Sequence, residues 1–176
     1  MYGASEVPQI VLTGFMGTGK TQVGRRLARV LGRPFVDIDD LVEAAAGRPV
    51  AEIFAAEGEQ RFRALEREAV EQACGVPEAV IATGGGTVLD PENRRRLAAA
   101  GPIVCLSARA EDIIRRVGNP ASRPLLSGGA EDRIGRIRSL LAERAPTYAL
   151  AAHTIDTTGL TLDEVVERVR EYVAGR

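Results

Sequence analysis

One octapeptide near the start constrains this chain more than any other stretch: Gly14-Phe15-Met16-Gly17-Thr18-Gly19-Lys20-Thr21. It satisfies G-x-x-x-x-G-K-[ST], in which the glycines let successive backbone N–H groups turn inward around a polyphosphate. In such a loop the lysine reaches the outer phosphates and the threonine hydroxyl ligates Mg²⁺. The flanks agree. Residues 9–13 are a short apolar run ending at the loop, and Val23, Leu27, Val30 and Leu31 follow it at helical spacing. A strand, a glycine loop and a helix N-terminus are therefore expected to meet, forming an anion site. Lys20 is the one lysine among 23 basic residues. Arginine is a poor substitute where a compact point charge must sit among phosphates.

With 176 residues, 45% of them hydrophobic, the chain can bury one good core and is short for two, so a single domain over 1–176 is expected. A net charge of −1 and a pI of about 6.0 argue against a nucleic-acid partner despite the many arginines. Cys74 and Cys105 lack CxxC spacing, and His153 is the only histidine, so no zinc cluster is expected. Both cysteines read as reduced core thiols. No apolar run approaches 18 residues and no basic n-region opens the chain, which favours the cytoplasm and no membrane partner. A monomer is the expected state.

Strands are predicted at 9–13, 35–39, 79–82, 103–106 and 153–156. Helices fill the gaps at 21–31, 40–46, 49–56, 59–74, 91–100, 110–117, 131–145 and 161–174, the last opening on a Thr161-x-x-Glu164 capping box. This alternation predicts a three-layer α/β/α fold around a five-stranded parallel sheet. Ligands of such sheets gather at the carboxyl ends of the strands, where the glycine loop, Asp37 to Asp39 and Gly84 to Gly86 all fall.

Several residues then stand out. Asp37 and Asp39 lie two apart in the predicted strand and can point together, one toward a hydrated Mg²⁺ and one toward a hydroxyl; helix capping is the plainer account. Gly84-Gly85-Gly86 is costly in backbone entropy unless a ligand or chain comes close, although a tight turn would also use it. Arg63 falls off the apolar stripe of its helix, a position usually solvated. Arg123 is a lone cation in the glycine-bracketed stretch 118–129, where a closing lid could bring it to a nucleotide. Arg144 precedes a proline at a predicted helix end, where the helix dipole alone would favour it.

Taken in order, Gly-Phe-Met-Gly-Thr-Gly-Lys-Thr, Asp37-Ile-Asp39, Glu52-Ile-Phe-Ala-Ala-Glu-Gly-Glu-Gln-Arg-Phe-Arg63, Thr-Gly-Gly-Gly86, Arg123-Pro-Leu-Leu and Arg144-Ala-Pro-Thr-Tyr148 resemble shikimate kinase from Pro8 onward. The resemblance implies strand order 2-3-1-4-5, as in P-loop nucleoside monophosphate kinases, with a substrate segment at about 37–67 and a lid at about 118–129. It implies ATP contacts from Gly17, Thr18, Gly19, Lys20, Thr21, Gln22, Arg116 and Arg123, with Arg116 along the adenine. Thr21 would ligate Mg²⁺, and Asp37 would reach it through water. Asp39 would bind the shikimate hydroxyls and serve as candidate base. Arg63 and Arg144 would hold the substrate carboxylate, and Gly85 would approach shikimate through its backbone. Lys20, Asp39 and Arg123 form the implied catalytic set. The implied reaction is transfer of the ATP γ-phosphoryl group to the 3-hydroxyl of shikimate, on the route to chorismate and the aromatic amino acids. One departure is visible: Asp156-Thr-Thr-Gly-Leu160 stands where some relatives carry an arginine near the adenine.

Two alternatives share these residues. A gluconate-type kinase also acts on a hydroxylated carboxylate, and a regulatory module could bind nucleotide without turnover. A GTPase is disfavoured, because the single lysine leaves none for an Asn-Lys-x-Asp motif. His153, being alone, is expected to pack in the last strand rather than to serve a hydrolase triad.

Overall fold

The computed structural model describes residues 7–117 and 129–176. The chain runs β1 (Ile10–Thr13), α1 (Lys20–Leu31), β2 (Phe35–Asp37), α2 (Ile38–Ala46), α3 (Val50–Cys74), β3 (Val80–Ala82), a 3₁₀ turn (Thr87–Leu89) and α4 (Pro91–Ala100). It continues through β4 (Ile103–Ser107), α5 (Ala110–Arg116), α6 (Ala130–Tyr148), β5 (His153–Asp156) and α7 (Leu162–Ala174). The five strands form one parallel sheet in the order β2-β3-β1-β4-β5, as expected.

β1 is central and wholly buried. Its alternate residues serve opposite faces: Val11 joins the cluster under α2, α3 and α4, whereas Ile10 and Leu12 join the one under α1 and α7. That is why its sequence reads as an unbroken apolar run. A third cluster, from Phe15, Ala110, Ile113 and Ile137, fastens α5 and α6 to the glycine loop. Both cysteines are free thiols, with Cys105 buried in β4. No described helix is long and apolar enough to cross a membrane.

The elements depart from expectation in two places that bear on the site, the end of the second strand and the end of the helix before β5. The second strand stops at Asp37 rather than running to 39, because the Asp37 carboxylate accepts from the Asp39 N–H and caps α2. Residues 49–74 divide at Gly58, as expected: α3 consists of two helical segments that meet at a kink, where Gly58 takes the non-helical φ 80°, ψ 174°. The helix expected to end at residue 145 runs on to Tyr148 through Pro146, which places Arg144 one turn inside it. The proposed lid, 118–129, lies outside the described residues except for Gly129.

Candidate active site

The glycine loop is built by close approach. At Gly14, φ is +137° and a Cβ would stand 2.2 Å from the Leu106 carbonyl oxygen, so only glycine fits. Gly19, left-handed at φ +91°, turns the chain into α1. Lys20 is buried, and its ammonium donates to the Gly14 and Phe15 carbonyls at 2.8 and 2.9 Å. Thr18, also buried, donates to the Phe15 carbonyl at 2.7 Å and faces away from the lysine's cavity. Its side chain therefore shapes the loop, leaving the backbone as its means of meeting a phosphate.

Asp37 and Asp39 come together by a helix cap, not by the pleat of a strand. One Asp37 oxygen accepts the Asp39 N–H at 3.0 Å, and the other accepts the Thr21 hydroxyl at 2.7 Å. Burial pushes the Asp37 carboxyl up, against the opposing bond from Thr21. Asp39, on the first turn of α2, is pushed up to about 6 by burial, then by the charges of Asp37 and Glu66, with Lys20 pulling it down. A carboxylate so placed holds a proton more readily than ordinary aspartate.

The glycine turn after β3 packs on this carboxylate. A Cβ at Gly84 would stand 2.9 Å from Asp39 Oδ1, and one at Gly86 would stand 2.8 Å from Arg63 Nη2. The glycines thus keep space for side chains already present and for whatever enters beside them. Arg63 does not lie on a solvated face. Its Nη1 donates to Glu66 at 2.7 Å, its Nη2 to Glu59 at 3.4 Å, and its guanidinium lies 5.1 Å from the Phe62 ring centroid. Glu66 is 1% exposed and accepts a second bond from the Thr87 hydroxyl at 2.8 Å.

From α6, Arg144 reaches the same turn. It is 6% exposed, lies 5.3 Å from the Phe15 ring centroid and donates to the Gly85 carbonyl at 3.3 Å; Tyr148 donates to that oxygen at 2.6 Å. Arg116, at the end of α5, donates to the hydroxyl and carbonyl of Thr157 at 3.1 and 3.5 Å. The residue next to Asp156 therefore orients the arginine assigned to the adenine.

A cavity of about 410 Å³ joins these parts. Gly17, Gly19, Lys20, Thr21 and Gln22 line one side with Arg116, and Asp39, Gly84 and Gly85 line the other. Asp37 stands behind Thr21; Arg63 and Arg144 flank the glycine turn rather than the cavity wall. Arg123 lies outside the described residues. Glu66, Thr87, Tyr148 and Thr157 were not singled out from the sequence. The only signal for Glu66 is its position three after Arg63 on one helix, where opposite charges meet.

Fit to a hydrated divalent cation rests on Thr21 and Asp37. Among the described residues no group of three or more His, Cys, Asp or Glu could enclose a metal ion. One threonine hydroxyl backed by one carboxylate suits Mg²⁺, which keeps most of its waters and takes few protein ligands.

Known proteins resemble this chain over most of its length. A sequence model of the family described as shikimate kinase matches residues 16–174. A shikimate kinase of Caldanaerobacter subterraneus subsp. tengcongensis is 51% identical over 93% of this chain and 95% of its own. The solved shikimate kinase of Acinetobacter baumannii in complex with shikimate superposes with a TM-score of 0.90 at 35% identity, covering 96% of this chain and 94% of that one. A gluconokinase of Sinorhizobium meliloti covers as much of the chain, but its TM-score of 0.60 at 16% identity shows a shared fold alone. The chain belongs to the shikimate kinase family.

Proposed function

We propose that this protein transfers the γ-phosphoryl group of ATP to the 3-hydroxyl of shikimate, giving shikimate 3-phosphate and ADP. The observation that carries this reading is the shared cavity, in which Lys20 and Thr21 of the glycine loop face Asp39 and the Gly84-Gly85 turn. Two arginines, Arg63 and Arg144, reach that turn from α3 and α6. A hydroxylated carboxylate fits this half of the site: the arginine forks take its carboxylate, Asp39 takes hydroxyls, and the Gly85 backbone packs against the ring.

The triphosphate would draw the Lys20 ammonium from the Gly14 and Phe15 carbonyls and accept N–H bonds from Gly17 to Thr21. Gln22 and Arg116 would extend that grip, with Arg116 held by Thr157 against the adenine. Thr21 and Asp37 would hold Mg²⁺, the latter through water; when bound, the ion neutralises charge on the β- and γ-phosphates. Arg123 is assigned to the closing lid, where it would meet charge on the transferred group.

Asp39 would accept the proton of the attacking hydroxyl. Its raised pKa leaves it largely ionised at neutral pH and makes it a better acceptor than an ordinary carboxylate. Positioning and charge neutralisation supply most of the rate, because the transition state of phosphoryl transfer is loose. The test is ³¹P NMR of the products from MgATP and shikimate. A single new monoester on the 3-hydroxyl is expected; ADP without a phosphorylated acceptor would leave only nucleotide hydrolysis.

A further inference from the structure

Two donors on α6 share one backbone oxygen. Tyr148 donates to the Gly85 carbonyl at 2.6 Å, and Arg144 donates to it through Nη1 at 3.3 Å. The two side chains stand four residues apart on α6 and so project from one face. Their bonds differ in kind. The phenol bond is short for a neutral hydroxyl, whereas the guanidinium contact is longer than the usual N–H···O range. Burial raises the Tyr148 phenol above its ordinary pKa, against the pull of the neighbouring Arg144 charge, so the hydroxyl keeps its proton and remains a donor.

Building on the assignment of Arg144 to the substrate carboxylate, we propose that Tyr148 is a positioning residue. Its hydroxyl holds the Gly85 carbonyl so that Arg144 can swing to substrate without leaving that carbonyl unpaired. In the free protein the carbonyl has two donors and needs one. When the guanidinium turns to a carboxylate, Tyr148 keeps the oxygen satisfied and fixes the plane of the Gly85 peptide. Without the hydroxyl, Arg144 would be the carbonyl's remaining side-chain donor, and binding substrate would strand a part-buried acceptor. Gly85 leaves the turn little room to adjust: a Cβ there would already stand 3.3 Å from the Met16 nitrogen.

The Tyr148 ring lines an apolar cavity with Phe15, Leu141 and Ala145, so Tyr148→Phe keeps the packing and removes one oxygen. In the full-length protein, this variant is expected to raise the shikimate KM about tenfold, the loss expected for a stranded acceptor. The ATP KM and kcat should stay within about twofold, as for a residue that serves acceptor binding alone. Calorimetric binding of the shikimate analogue carrying hydroxymethyl in place of the carboxylate should not change, because Arg144 has no carboxylate to meet. Tyr148→Met gives the same comparison if the phenylalanine variant does not fold. An unchanged shikimate KM, or equal losses for shikimate and the analogue, would overturn the proposal. Wild-type protein that fails to turn over shikimate would instead refute the acceptor assignment on which it rests.

Discussion

Thr21 donates its hydroxyl proton to Asp37 Oδ2 at 2.7 Å, joining the first turn of α1 to the end of β2. The bond places a carboxylate behind the hydroxyl assigned to Mg²⁺. Asp37→Asn tests whether this arrangement serves the metal. Asparagine caps helices as well as aspartate does, so α2 should survive. Loss of an outer partner typically weakens metal affinity by about 10–100-fold. Rate measured against free Mg²⁺ should show a midpoint raised by about tenfold or more. An unmoved midpoint would reduce Asp37 to a helix cap, and chelation of Mg²⁺ from the wild type should abolish turnover.

Asp39 predicts two pH dependences of opposite sign. Its pKa in the folded protein, about 6, lies above the ordinary value of 3.8, so the folded state holds this proton more tightly than the unfolded chain. Stability from this group is therefore present below about pH 4 and is lost as pH rises through 6, by at most about 3 kcal/mol. Asp39→Asn should melt above wild type at pH 8, and the gap should close toward pH 4. Activity runs the other way: wild-type kcat/KM for shikimate should fall as pH drops below 6, while the variant should be nearly inactive throughout. A wild type with flat kcat/KM between pH 5 and 8 would remove Asp39 from proton transfer.

Arg63 and Glu66 should separate binding from stability. Truncating Arg63 to alanine removes a proposed carboxylate ligand and leaves buried Glu66 with the Thr87 hydroxyl as its remaining partner among the bonds at 2.7 and 2.8 Å. Shikimate affinity should fall by roughly 2–5 kcal/mol, and folding stability by about 1–3 kcal/mol. Adding Glu66→Gln to Arg63→Ala should recover much of the stability, measured by urea unfolding, without restoring affinity. Recovery of both would place Arg63 in the scaffold and not in the site.

Gly86→Ala offers a narrower probe. The backbone at Gly86 has φ −109°, which any residue can adopt, but the new methyl would stand 2.8 Å from Arg63 Nη2. The guanidinium end is flexible and should yield, so the protein should fold with its melting temperature little changed. Its shikimate KM is expected to rise about tenfold with the ATP KM unaltered, as for loss of one uniform binding contact. An equal rise in both would mean that the turn serves the nucleotide as well.

Much of this architecture was legible in the sequence because the informative signals are local. The octapeptide dictates its own glycine conformations, and Thr161 with Glu164 forms the capping box that their spacing predicts. Strand order was different. Nothing in the apolar runs themselves ranks β3 beside β1, and 2-3-1-4-5 came from the family resemblance. Where the reading failed, a side chain competed with the backbone: Asp37 ended its strand by capping α2, which no alternation pattern reveals. Arg63 looked solvated because it lies beside Phe62, off the apolar stripe, yet it is part-buried, paired with buried Glu66 and close against Gly86. Contacts of that kind join residues distant in sequence and carry no periodicity. Tyr148, the last residue of the Arg144-Ala-Pro-Thr-Tyr148 motif, was given no role for a related reason, since α6 continues through Pro146 where a proline usually marks an end.

The most direct measurement is coupled ADP release from MgATP with shikimate, with gluconate and with no acceptor. Turnover should depend on shikimate, with little from gluconate or from water, and should be lost in Lys20→Met protein that remains folded. No stimulation by shikimate, or a preference for gluconate, would contradict it.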